Sequence, residues 1–135
     1  MTATAADRMT SDRLRALGAA RAAVGGLCLV GLAAGRPAAG AGLPRAGRVA
    51  AGVLAVRDLV QGAALVVRPE RPVAEAAAFV DVLHAVSMLP VVAFARRYRV
   101  AAAVSTSEAA GWTWLALVAL QPPGKHRGGS LGGRS

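Results

Sequence analysis

The sequence predicts an all-α fold, a four-helix transmembrane bundle in up-down hairpin order. Composition is the first observation. Counted with glycine and without tyrosine, 89 of the 135 residues are apolar, against roughly 45–50% in soluble domains, and charged residues reach 17% against about 25%. Charge placement is the second: the basic residues fall in groups, Arg8/Arg13/Arg15, Arg36/Arg45/Arg48, Arg68/Arg71, Arg96/Arg97/Arg99 and Lys125/Arg127/Arg134, which bracket four apolar stretches of roughly membrane-spanning length. The third is the lack of any period-two alternation in a chain of 33 alanines and 16 glycines, which argues against strands. At this length the chain is one domain.

Residues 1–12 read as a polar N-terminal segment in which Thr10 or Ser11 N-caps a helix with Asp12 in its first turn. The membrane domain then covers 13–121, with spans at about 14–35, 49–67, 73–95 and 100–120. The first span resembles a signal-peptide core behind Arg8, Arg13, Arg15 and Arg21, but three further apolar segments need a bundle partner and favour a retained helix. Pro37 and Pro44 with Gly40, Gly42 and Gly47 make 36–48 a loop. Arg68-Pro69 closes the second span, and Pro72 suits the first turn of the third, where Pro90 predicts a kink. Arg96-Arg97-Tyr98-Arg99 is a turn. Gln121-Pro122-Pro123-Gly124 stops the fourth span, leaving 122–135 as a disordered basic tail. Tyr98 and Trp114, about 24 Å apart along a helix, suit the two interfaces of one span.

A formal charge of +9 raises nucleic-acid binding, yet the cations punctuate apolar segments and no aromatic is interleaved with them, so no nucleic acid is expected. A soluble helical bundle is the other rival. It would need a polar face on each helix, and among residues 49–67 only Arg57, Asp58 and Gln61 are strongly polar. Cys28 is the single cysteine, which excludes a disulfide framework. One His and one Asp on a helix are too few for a metal site, and no cofactor is expected. Ser105 and Ser107 have no nearby His, and no glycine-elbow or phosphate-loop pattern occurs, so no catalytic residue is assigned and no enzymatic activity is expected.

The ionisable residues inside the spans are the candidate site: Arg21, Arg57, Asp58, Asp81, His84 and Glu108. Each costs at least ~2.5–3.5 kcal/mol near a span centre if charged and alone, so each should turn inward to a partner. Arg57 follows Arg48 by nine residues and Glu108 follows Arg99 by nine, which sets them level. Arg21 and Asp81 differ by only ~4.5 Å in depth, within reach of an Arg side chain. Asp58 and His84 form a third candidate pair. A second arrangement stays open, because Arg57 and Asp58 point about 100° apart, so Asp58 could serve Arg21 and leave Asp81 to His84. Asp81, His84 and Ser87 drift along one helix face, as a proton relay would, or as a polar network that fixes helix register; the latter is the preferred reading. Gly18, Ala22 and Gly26, followed by Gly31 and Gly35, offer small-residue ridges for close packing.

Leu17-Gly18-Ala19-Ala20-Arg21, Ala55-Val56-Arg57-Asp58-Leu59-Val60-Gln61-Gly62 and Phe79-Val80-Asp81-Val82-Leu83-His84-Ala85 together resemble a family of small actinobacterial integral membrane proteins with four helices and G-x-x-R, A-R-D-L-x-x-G and D-x-x-D/H patterns. The resemblance covers about residues 14–120. It implies a membrane location and no reaction, substrate or partner. The longer 36–48 loop and Glu108 depart from the pattern.

These readings point to a small polytopic membrane protein with a structural or interaction role. Its partner is the lipid bilayer, with a homo-oligomer also admitted. The alternatives are an oligomeric proton or ion transport module and the soluble nucleic-acid binder. Eight basic residues on the side of the termini against six opposite favour cytoplasmic termini.

Overall fold

A computed structural model describes residues 4–37, 43–94, 96 and 99–121. Four helices follow one another: α1 (Ala5–Ala33), α2 (Arg45–Val67), α3 (Arg71–Phe94) and α4 (Arg99–Leu120). Among the described residues there is no strand. The expected basic tail, 122–135, lies outside the described residues, as do Arg97 and Tyr98.

The first helix starts well before the expected cap. Thr4, not Thr10 or Ser11, is the N-cap: its hydroxyl accepts from the Asp7 backbone N–H at 3.2 Å, and Asp7 Oδ2 accepts from the Thr4 backbone N–H at 3.0 Å. This reciprocal pair satisfies donors that a helix start leaves open, so the polar residues 5–12 are the first turns of α1 and not a separate segment. The helix ends on Gly35, whose φ of 68° lets the Arg36 N–H reach Gly31 O at 2.9 Å and the Gly35 N–H reach Leu32 O at 3.1 Å. Pro69 ends α2, since the residue before proline is pushed out of the helical region. Pro90 stays inside α3, which continues to Phe94.

The bundle is two antiparallel hairpins. α1 runs closely along α2 and α3 along α4, while α1 against α4 joins the pairs and α2 touches α3 only lightly. Near the chain termini the core is apolar, with Leu14, Leu65, Ala74 and Ala119 buried together and Val73 and Leu120 against them. Three helices are long and apolar enough to cross a membrane: α1, α2 and α3 as far as Pro90. That is one fewer than the four spans expected, because Ser105-Thr106-Ser107-Glu108 lowers the hydropathy of α4.

The α1–α2 seam rests on glycine. A Cβ at Gly18 would meet Gly62 O and Leu65 Cβ at 2.7 Å each, one at Gly25 would meet Ala55 O at 2.5 Å and Leu59 N at 2.6 Å, and one at Gly62 would run into the backbone nitrogen of Ala22. The seam is therefore Gly18, Ala22, Gly25. Gly26, expected within the ridge, faces open space, since the i, i+4, i+7 row and not a strict four-residue row turns toward α2.

Candidate functional site

Backbone contact at Gly25 has a consequence one turn away. With no Cβ in the way, α2 comes near enough for the short side chain of Asp58 to reach Arg21, which lies between Gly18 and Gly25 on the same face of α1. Arg21 donates from Nε and Nη2 to Asp58 Oδ1 at 3.1 and 2.8 Å. It also forks onto Asp81 of α3, Nη1 to Oδ2 at 2.7 Å and Nη2 to Oδ1 at 2.6 Å. This second contact is the planar, bidentate geometry for which a guanidinium suits a carboxylate. All three side chains are buried.

Arg57 joins the same cluster from its rim. Its Nη2 lies 3.3 Å from Asp58 Oδ1 and 3.4 Å from Asp81 Oδ1. The expected Arg57–Glu108 pair does not form: equal depth held them level, but the direction of Arg57 around α2 takes it to the two aspartates. One Arg21 guanidinium serves Asp81 and Asp58 together, so Asp58 does reach Arg21 but Asp81 is not left to His84. Nε and Nη1 of Arg57 and Oε1 of Gln61 are buried without a protein partner.

The fourth helix closes the cluster. Trp112 lies with its ring centroid 5.5 Å from the Arg21 guanidinium carbon, a cation–π approach, and its Nε1 donates weakly to Glu108 Oε1 at 3.5 Å. Glu108 lies beside the carboxyl of Asp58. His84 does not pair with Asp58. Its Nε2 is 2.7 Å from Ser105 Oγ, which corrects the expectation that Ser105 has no histidine near it: the residue is remote in sequence and adjacent across α3 and α4. The Ser87 hydroxyl donates to the His84 carbonyl at 2.7 Å instead of extending a relay.

Ser105 and Trp112 escaped the sequence reading, though a signal existed. Ala102, Ser105, Ala109, Ala116 and Ala119 are buried, and Trp112 falls on the same helical row, so the inward face of α4 can be traced from small residues at i, i+3/i+4 spacing.

Chemically, the cluster is a polar clamp. Two guanidiniums face Asp58 and Asp81, and the set ties α1, α2 and α3 together. In the Ser105–His84 contact, Ser105 sits mid-helix, where the surrounding backbone N–H groups are taken by the helix itself. Among the described residues, no group of three or more His, Cys, Asp or Glu is placed to hold a metal ion. An open cleft lined by Asp7, Thr10, Ser11, Glu70 and Arg71 lies at the opposite end of the first helix from the α1–α2 connection, away from the cluster.

No protein-family model, no curated protein and no solved structure matches the chain. Fold and site alone define its class: an all-α bundle with a buried cluster of charged side chains.

Proposed function

We propose that this chain is a small polytopic integral membrane protein with a structural or interaction role, three of its four helices clamped by the Arg21–Asp58–Asp81 cluster, and with no catalytic activity of its own. One observation carries the reading. Arg21, Asp58 and Asp81 are 3%, 2% and 0% exposed, while Leu27, Phe79 and Phe94 are 72%, 68% and 86% exposed. Water would impose the reverse order, because burying charge is costly and hiding apolar surface favourable. A hydrocarbon surround favours this one.

Helix α4 fits the same surround despite its polar stretch. The Thr106 and Thr113 hydroxyls donate one turn back to Ala102 O at 2.8 Å and Ala109 O at 3.0 Å, and Ser105 is held by His84, so these hydroxyls are satisfied without water. The outward residues Val100, Val104, Trp114, Leu115, Leu117 and Val118 are exposed and suit lipid.

Sodium carbonate washing of membranes from cells expressing the chain is the test. Retention in the pellet is expected, and release into the wash would overturn the reading. Four crossings place both termini on one side, and the charge bias makes that side the cytoplasm; a phosphatase fused after Ser135 should be inactive. Membership of the small actinobacterial membrane family is proposed on the same three segments that carry the resemblance.

A second reading, a proton- or ion-conducting oligomer, draws on the contact of Glu108 with Asp58 and of His84 with Ser105 near the cluster. Cross-linking in membranes together with proton flux into vesicles separates the two; a monomer without flux removes it.

A further inference from the structure

The two ends of the bundle differ in charge in a way the total of +9 conceals. No Asp or Glu occurs between Asp12 and Asp58 or between Asp81 and Glu108, yet those stretches hold Arg36, Arg45 and Arg48 in one and Arg96, Arg97 and Arg99 in the other. Antiparallel packing brings Arg36, Arg45 and Arg48 to the same end as Arg96 and Arg99, opposite the Leu14/Leu65/Ala74/Ala119 core. Around that core the cations are mixed with acids: Arg15 lies 3.8 Å from Asp12 and Arg71 2.7 Å from Glu75, with Asp7 and Glu70 nearby in the chain.

At the far end Arg36, Arg45, Arg48, Arg96 and Arg99 are all exposed. Arg48 donates to the Leu43 carbonyl at 3.0 Å and Arg99 reaches the Ala93 carbonyl at 3.4 Å. The nearest acids in sequence, Asp58, Asp81 and Glu108, belong to the central cluster. Depth is the second consideration. Arg48 precedes Asp58 by ten residues and Arg99 precedes Glu108 by nine, so both lie ~14–15 Å from the cluster, half of a hydrocarbon core of ~30 Å. With the cluster at mid-membrane, these guanidiniums stand at the level of lipid phosphates.

We propose that this end of the bundle binds the head groups of anionic phospholipids, its arginines taking phosphate oxygens in the forked geometry that a guanidinium offers and an ammonium does not. The proposal rests on the membrane reading above. A group of arginines with no acid in its own stretches of sequence exceeds what anchoring at an interface requires, and the mixed-charge end supplies an internal control.

The full chain is reconstituted into vesicles of phosphatidylcholine with and without phosphatidylglycerol, carbonate-washed, and its retained lipid counted by native mass spectrometry. Retention of phosphatidylglycerol over phosphatidylcholine by about tenfold or more is expected. It should collapse in the variant carrying Arg36→Gln, Arg45→Gln, Arg48→Gln, Arg96→Gln and Arg99→Gln, and survive Arg8→Gln, Arg13→Gln, Arg15→Gln, Arg68→Gln and Arg71→Gln. For the unmodified chain, which keeps the test open if a variant fails to insert, selection should weaken as salt rises. Equal loss in both variants, no selection by the inserted chain, or full displacement of the lipid by inorganic phosphate would overturn the proposal alone. Failure of the unmodified chain to insert would overturn the membrane reading with it.

Discussion

The two hairpins are made of similar residues and joined differently. Between α1 and α2 the main chains touch, and Gly18, Gly25 and Gly62 leave no space for a methyl group. In α3 and α4 the buried positions are largely alanine, Ala74, Ala77, Ala102, Ala109, Ala116 and Ala119, the cross-link is made by side chains, His84 to Ser105, and Gly111 faces open space. The difference follows from what each seam must deliver. Asp58 is short and reaches Arg21 only if the helices nearly meet, whereas Asp81 is reached by the long side chain of Arg21 extending across to α3. Glycine thus marks contact only where the ion cluster demands close approach.

The largest effect should come from the residue that links the hairpins. Arg21→Leu leaves Asp58 and Asp81 with only the longer contacts from Arg57 and should destabilise by ~3–5 kcal/mol, read as loss of folded protein in detergent-driven unfolding. Replacing Asp81 together with Arg21 should recover part of that loss. Double-mutant cycles should show strong coupling of Arg21 with both Asp81 and Asp58, and weaker coupling of Arg57 with Glu108. If Arg21→Leu costs no more than Arg15→Leu at the surface, the clamp is not what holds the hairpins together.

Alanine substitutions at glycine test the seams with opposite signs. Gly62→Ala forces backbone apart and should cost ~1–3 kcal/mol. Gly111→Ala meets no atom and should stabilise α4 by up to ~1 kcal/mol through helix propensity alone. Matching signs would mean that the hairpins are not packed differently after all. Within the second hairpin, Ser105→Ala removes the hydroxyl bonded to His84 and should cost ~0.5–1.5 kcal/mol, with the loosening confined to α3 and α4 in hydrogen exchange.

How far these features were legible depends on whether they are local. The four helices follow from Pro37, Pro44, Pro69 and the arginine groups, because breakers and charges act on the chain where they stand. The depth of Arg21 against Asp81 was also legible, since rise per residue is constant. Rotation was not: Arg57 and Glu108 are level, yet which way α2 turns is decided by the glycine seam, a contact between helices. The His84–Ser105 bond depends on how α3 and α4 pair, so 21 residues of separation hid it. The start of α1 was misplaced for another reason. Thr4 and Asp7 carry a capping pattern, but the polar run through residue 13 resembles a chain outside the membrane, and a helix can extend into water once it is capped and continued by an anchored span.

That cap gives the smallest effect and contrasts the opening of α1 with that of α2. The Thr4 hydroxyl and backbone N–H donate to Asp7 Oδ2 at 2.7 and 3.0 Å, and these bonds, the hydroxyl's foremost, hold the Asp7 carboxyl below its ordinary range. A carboxyl whose folded value is depressed contributes stability above the unfolded value and loses it as pH falls through the folded one. The first turn of α1 should therefore fray in acid, seen as Cα chemical shifts of residues 5–9 moving toward coil values, while residues 14–33 hold theirs. Helix α2 opens at Pro44 with no side-chain cap bond, so its first turn should not follow the same titration. Asp7→Asn should abolish the transition, and Thr4→Ala should move it up toward the ordinary carboxylate range. If the transition were to persist unchanged in Asp7→Asn, or to involve both helix starts alike, acid would be acting on something other than this cap.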